Sequence, residues 1–269
     1  MRLSELSAAL SDAGIEEAAV EARLLFSAVT GIGYSALFGA DPEAEDRLLL
    51  PLLARRTARE PLAYIIGEAP FFRSVLKVSP DCLIPRADTE RLCELAIEGL
   101  PRGAHFADLC TGSGAIAVTL LSERPDTTAL ATDISEGALS VAAENAARLG
   151  VSDRLTLCRS DLLTETPEGR FDAIISNPPY IPTADLDGLS PEVGHEPSIA
   201  LDGGADGLVF YRRLLSLGEL LTEDGFFLFE CGYDQKEDME RLAAEYGYSF
   251  APFFDYGKNF RGGIFRRIR

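Results

Sequence analysis

The feature that most restricts the fold is a regular exchange of strand-like and helix-like segments that begins near His105 and continues to the C-terminus. Short apolar runs at 105–110, 128–133, 155–158, 171–176 and 226–231 read as strands. Apolar positions at helical spacing mark helices at 115–122, 136–149, 207–221 and 235–246, and two more strands close the chain. A strand followed by a helix of this length cannot turn back as a hairpin. It crosses to a parallel neighbour and lays the helix on a face of the sheet. The pattern therefore predicts an α/β domain with a doubly wound sheet covered on both faces. Ligands in such sheets bind outside the carboxyl ends of the strands, so the residues that matter most are those that end each run.

The preceding part reads differently. Leu3, Leu6 and Leu10 recur at helical spacing before Gly14, and Ile15, Ala18, Ala22, Leu25, Phe26 and Val29 trace one face up to Gly31. A third helix is expected from Asp41-Pro42, as an N-cap followed by a first-turn proline, with Pro51 kinking or breaking it. Residues 1–66 thus form a small helical bundle. Residues 67–86 read as a linker with a short β-hairpin, carrying Phe71 and Phe72 among turn residues, and 87–269 as the α/β domain, opened by a helix over about 89–99. The irregular stretch 181–206, rich in Pro, Gly and Asp, is long for a loop inside a compact domain, and such loops are often functional.

Charge narrows the partners. The 269 residues carry a net charge of −18, whereas non-specific nucleic-acid binding needs basic groups to neutralise phosphates, so no direct nucleic-acid partner is expected. The arginines Arg261, Arg266, Arg267 and Arg269 read as a solvated edge strand. No apolar run is long enough to cross a bilayer and no signal segment opens the chain, which predicts a soluble, cytoplasmic protein. Five cysteines without a CxxC pair and two histidines predict no metal site.

The first strand ends in Asp108-Leu109-Cys110-Thr111-Gly112-Ser113-Gly114 and leads into a helix. Glycines at such a turn let the backbone approach a ligand where a Cβ would clash. The second strand ends at Asp133, placed to accept hydrogen bonds from both hydroxyls of a ribose. Gly112-x-Gly114-x-x-Ala117 also fits a dinucleotide fingerprint, so this turn by itself leaves the cofactor open. Two details favour S-adenosyl-L-methionine. Asp108 suits a cationic amino group better than a pyrophosphate. Asp161, after the third strand, can take an adenine amine while Leu162 packs on the ring. The expected cofactor site is Asp108, Cys110, Thr111, Gly112, Ser113, Gly114, Asp133, Asp161, Leu162 and Asn177.

Directly after the strand 171–176 comes Asn177-Pro178-Pro179-Tyr180. Two prolines remove two backbone donors and leave carbonyls that only accept. The Asn177 side-chain oxygen and the Pro178 carbonyl can then take both hydrogens of one planar NH2 group, with Tyr180 offering an aromatic face. An amide or aromatic nitrogen is a poor nucleophile, and gripping both hydrogens raises its electron density while aiming its lone pair. Asn177, Pro178, Pro179 and Tyr180 are the expected catalytic and substrate-binding residues. Methylation of a planar amide or amine nitrogen is the predicted chemistry.

With these motifs in view the chain resembles the amino-methyltransferase group of the seven-stranded S-adenosylmethionine fold. More narrowly, it resembles the bacterial release factor glutamine methyltransferases, the PrmC or HemK family. Pro61-Leu62-Ala63-Tyr64-Ile65-Ile66-Gly67, Phe71-Phe72, Leu83-Ile84-Pro85-Arg86 and Asp88-Thr89-Glu90 look like that family's linker. Glu196-Pro197, Ala200-Leu201, Gly203-Gly204 and Asp206-Gly207-Leu208 look like its long loop. The resemblance implies a Rossmann-like, seven-stranded S-adenosylmethionine-dependent methyltransferase domain preceded by a helical substrate-docking bundle. It implies that the substrate is the glutamine of the Gly-Gly-Gln loop in class I peptide chain release factors, methylated at the amide N5, with S-adenosyl-L-homocysteine as product and a monomeric enzyme. Phe72, or Phe71, and Arg86 would lie near the pocket mouth. The sequence departs from the family where Cys110 replaces the usual glycine and Ala87 the usual proline, and where Gly194-His195 precedes Glu196-Pro197. The competing reading is an adenine- or cytosine-N methyltransferase acting on DNA or RNA, which shares the tetrapeptide.

Overall fold

A computed structural model describes residues 1–164 and 169–268. The chain divides into two compact units. One comprises Met1–Glu68 together with Ser190–His195, the other Ala69–Leu189 and the chain from Glu196 onward.

In the first unit α1 (Leu3–Asp12), α2 (Ala18–Thr30), α3 (Asp46–Thr57) and α4 (Leu62–Ile66) surround a core of Leu6, Leu10, Leu25, Phe26 and Leu49. Gly31 and Gly67 end α2 and α4 in the left-handed conformation that glycine adopts without a Cβ penalty. The third helix does not start at Asp41-Pro42. The Asp41 carboxylate accepts from the backbone N–H and the hydroxyl of Ser4, at 2.8 and 2.9 Å, and so serves the first turn of α1 instead of capping its own segment. Pro51 lies inside α3, where it removes one amide donor without ending the helix. Arg56 is buried and pairs with Glu21 at 2.6 Å and Glu192 at 3.1 Å. The second partner comes from the short segment Ser190–His195, which reading 181–206 as one loop did not foresee.

In the second unit β1 (Glu68–Phe71) and β2 (Ser74–Lys77) pair as a two-stranded sheet, and α5 (Ala87–Gly99) follows. Then come β3 (His105–Leu109), α6 (Ala115–Glu123), β4 (Thr128–Asp133), α7 (Glu136–Arg148), β5 (Leu155–Arg159) and β6 (Phe171–Ser176). After them come α8 (Val209–Leu215), β7 (Leu221–Glu230), α9 (Lys236–Glu245), β8 (Tyr248–Phe254) and β9 (Phe260–Arg267). The seven strands lie in the order β5-β4-β3-β6-β7-β9-β8, with only β9 antiparallel to its neighbours. The period of two shows directly on β3. Phe106 joins a core with Leu92, Ile116 and Leu120 on one face, and Ala107 joins a core with Tyr211, Leu214 and Met239 on the other. Complete burial of a ring such as Phe106 contributes about 2 kcal/mol. The chain runs from β3 outward to β4 and β5, then crosses back to β6 on the other flank of β3. That reversal opens a crevice at the carboxyl ends of β3 and β6.

Two expectations are corrected at this level. The helix read over 207–221 is the seven-residue α8 followed by a 3-10 segment, Ser216–Leu220, and β7 already begins at Leu221. Gly218 there is pressed so closely on Tyr248 that a Cβ would lie 2.1 Å from its hydroxyl oxygen. The C-terminal arginines do not line an edge, because β9 is paired on both sides and β8 is the edge strand. Arg266 covers the Phe226 ring at 4.6 Å, Arg267 donates to the Gly218 carbonyl, and Arg261 pairs with Asp88 and Asp255, each at 2.9 Å. Arg269 lies outside the described residues. Among the described residues no helix is long and apolar enough to cross a membrane.

Candidate active site

The turn after β3 is built on three left-handed residues, Cys110 (φ 60°), Gly112 (φ 56°) and Gly114 (φ 79°). The Thr111 N–H donates to the Thr132 carbonyl and the Gly114 N–H to the Thr111 carbonyl, both at 2.9 Å, which ties the turn to the end of β4. Asp133 completes the lock, since its carboxylate accepts from the N–H groups of Gly112 and Ser135, each at 2.9 Å. Each oxygen retains a second lone pair for a ligand hydroxyl. Burial raises the Asp133 carboxyl above its ordinary value, against the pull of these backbone donors.

A cavity of about 280 Å³ opens over these strand ends, close to the lower limit of small-molecule sites at about 300 Å³. Cys110, Thr111, Gly112, Ser113, Asp133, Asp161, Leu162, Asn177, Pro179 and Arg86 all line it, so five separate stretches of sequence converge. The remaining expected residues stand apart from that wall. At Gly112 an added Cβ would meet no protein atom within 4 Å, whereas at Gly114 it would lie 2.9 Å from the Ala142 Cβ. Gly112 is therefore the position of free backbone approach, and Gly114 is a glycine because α6 and α7 pack closely there. Cys110 occupies a left-handed position that a glycine would adopt without strain, which gives its departure from the family pattern a physical content. Phe71 rather than Phe72 lines the cavity, while the Phe72 N–H donates to the Glu90 carboxylate at 2.9 Å.

Asp108 lies beneath the wall and is fully buried. One carboxylate oxygen accepts from the Thr111 hydroxyl at 2.6 Å and the Ala117 N–H at 3.1 Å, and the other, Oδ1, has no partner. Burial pushes its carboxyl up to about 7. Asp161 is held by Arg213 at 2.8 Å, and the Leu162 carbonyl accepts from the Thr132 hydroxyl at 2.9 Å. Arg86 is paired with Glu196, whose other oxygen accepts from the Ile84 N–H at 3.0 Å.

Asn177 leaves the end of β6 with its Nδ2 donating to the Thr89 hydroxyl at 3.2 Å. Pro178 is buried, and Tyr180 packs partly into the core beside α8 instead of lining the cavity. Its backbone is clasped from behind. Gln235 Nε2 donates to the Tyr180 carbonyl at 3.1 Å, and a Cβ on Gly203 would lie 2.7 Å from the Tyr180 Cα. The glycines of the long loop thus permit backbone packing against the tetrapeptide. Sequence reasoning missed Thr89 and Glu230. Glu230 ends the otherwise apolar run Phe226–Phe229, the same signal that marked Asp133 at the end of β4.

The donor set can be tested against S-adenosylmethionine. A cationic amino acid joined to a nucleoside requires carboxylates at the strand ends, an unobstructed turn and an apolar slot for the base. Asp133, the orphaned oxygen of Asp108, the space before Gly112 and the wall at Leu162 supply these, so the residues fit.

Residues 91–189 match the Methyltransferase small domain and residues 3–67 the PrmC N-terminal domain. A release factor glutamine methyltransferase of Caulobacter vibrioides is 40% identical over 242 residues, covering 87% of this chain and 83% of its own. One from Agrobacterium fabrum is 40% identical over 272 residues, covering 96% and 93%. Among solved structures, a ribosomal protein L11 methylase from Lactobacillus delbrueckii subsp. bulgaricus gives a TM-score of 0.53 at 24% identity. It covers 74% of this chain and 89% of that one, a likeness of fold.

Proposed function

The chain belongs to the release factor glutamine methyltransferase family, and from that premise we propose that it methylates the amide N5 of the glutamine in the Gly-Gly-Gln loop of class I peptide chain release factors. S-adenosyl-L-methionine is the donor and S-adenosyl-L-homocysteine the product. The observation that carries the proposal is that Asn177 and Pro179 share one cavity wall with Gly112 and Asp133. An acceptor for a planar NH2 group and a nucleoside-type site thus face the same space.

When bound, the cofactor supplies an electrophilic methyl group on a sulfonium. Asp133 would hold its ribose, Asp108 the amino-acid end, Asp161 and Leu162 the base. Asn177 Oδ1 and the Pro178 carbonyl accept the two hydrogens of the substrate amide, which raises the electron density on its nitrogen and aims its lone pair. One of the two protons leaves to water as the methyl group is taken up. Positioning of this kind, together with fixed dipoles, accounts for several kcal/mol without a covalent intermediate. The N-terminal helical unit would dock the body of the release factor, and a monomer acting in the cytoplasm meets these requirements. The net charge of −18 opposes a nucleic-acid substrate.

The test offers labelled cofactor with release factor and, separately, with duplex DNA, and maps the label by mass spectrometry. Label on the loop glutamine is expected, and label on a nucleobase alone refutes the proposal. Asn177→Ala should cut turnover at least about 10²-fold with cofactor affinity nearly intact. Equal losses of affinity and turnover would refute the role given to Asn177.

A further inference from the structure

The Asn177 carboxamide can act as an acceptor only if its oxygen, not its nitrogen, faces the cavity, because the two groups stand on opposite sides of one planar unit. Rotation about the terminal side-chain bond exchanges them at little intrinsic cost. Something in the protein must choose. The nitrogen donates to the Thr89 hydroxyl at 3.2 Å. Thr89 sits in the first turn of α5, is 4% exposed, and lines the same cavity. Having accepted this hydrogen, the hydroxyl still needs an acceptor for its own proton. The Glu230 carboxyl at the end of β7 is 2% exposed and its Oε2 has no partner. Burial raises its pKa, and the hydroxyl of Thr89 and the carboxamide of Asn177 draw it back down.

We propose that Thr89 and Glu230 are positioning residues that hold the Asn177 nitrogen turned into the protein and so present its oxygen to the substrate amide. The assignment deepens the reading of Asn177 given above and rests on it. The hydrogens run from Asn177 to Thr89 and from Thr89 to Glu230. A flipped carboxamide would place an NH2 group against the substrate NH2, two donors face to face, and would leave the Thr89 hydroxyl competing for its own acceptor. A buried acid without a full set of partners is costly, so its retention next to an asparagine that needs orienting is accounted for by this chain of donors. Thr89 and Glu230 stand 141 positions apart in the chain. The arrangement therefore exists only in the folded sheet.

The test uses the full chain with release factor as substrate, and compares Thr89→Val, which keeps the shape and removes the hydroxyl, with Thr89→Ser, which keeps the hydroxyl. T89V should lower kcat by about 10-fold to 10²-fold, while the cofactor Kd by calorimetry and the melting temperature remain close to wild type. T89S should stay within about 3-fold of wild-type kcat, and Glu230→Gln should fall between the two. Wild-type kcat in T89V overturns the proposal, as does a T89S enzyme no more active than T89V. Wild-type kcat in E230Q removes Glu230 from it. Asn177→Ala, measured alongside, separates the two levels. A dead N177A with a fully active T89V sinks this inference alone, and an active N177A sinks the reading of the site beneath it.

Discussion

Replacing Gly112 and Gly114 separately by alanine distinguishes a glycine kept for a ligand from one kept for packing. At Gly114 the new Cβ would lie 2.9 Å from the Ala142 Cβ and 3.2 Å from its Cα. Ordinary carbon contacts begin at about 3.5 Å, so the overlap is about 0.6 Å. Ala142 is fully buried on α7 and has no rotamer by which to move aside. Overpacking of this kind costs about 1–3 kcal/mol, and an alanine held near φ +79° adds about 1–2 kcal/mol. Lost freedom in the unfolded chain returns about 0.4–1 kcal/mol, leaving a net destabilisation of about 2–4 kcal/mol. At Gly112 (φ +56°) the methyl meets no protein atom within 4 Å, so only the backbone strain remains, about 1 kcal/mol after the same correction. Its methyl projects at the cavity wall and should weaken S-adenosylmethionine at least about 10-fold. The chain has no tryptophan, so urea unfolding would be followed by circular dichroism without cofactor, and affinity by calorimetry. Equal destabilisation by the two substitutions, or an undiminished affinity in G112A, would refute the division of roles.

Acid titration of Asp108 should be visible in stability. Its carboxyl is raised from 3.8 to about 7, so the native state keeps the proton after the unfolded chain has lost it, and the associated stability declines from about pH 4 to pH 7. Asp108→Asn lacks this loss. The difference between variant and wild type in urea midpoint should move in favour of the variant over that window and level off above it, whereas a pH-independent difference would contradict the buried, proton-holding carboxyl. In the helical unit, Arg56→Ala leaves Glu21 without its cation, while Glu192 keeps Arg59 at 2.8 Å. With the arginine side chain only 7% exposed, the loss should be about 3 kcal/mol in thermal or urea unfolding, and a loss below about 1 kcal/mol would show that the pair is solvated.

How far the sequence carries is seen by comparing particular residues. The exchange of strands and helices, the Gly112 turn, Asp133 and the Asn177 tetrapeptide were legible because each is a local matter: a period, a backbone conformation, an acid that ends an apolar run. The site assembled where those strand ends meet. Other assignments depended on what lies opposite. Gly114 and Gly112 look alike in sequence, and only the approach of Ala142 separates them. Asp41 looks like an N-cap for its own helix until Ser4 is seen to claim it. The C-terminal arginines look like an edge strand until β9 is placed between β7 and β8, although Arg266 and Arg267 do stay exposed. Phe71 and Phe72 differ by one position, and the hairpin decides which faces the cavity.

By itself, then, the sequence determined which segments are strands and helices and which strand ends carry polar groups, since these follow from interactions among residues a few positions apart. Only the tertiary structure decided which of those groups lack partners and which way a carboxamide points. Thr89, Asn177 and Glu230 are far apart along the chain, and the forces between them act only over the few ångströms that folding creates.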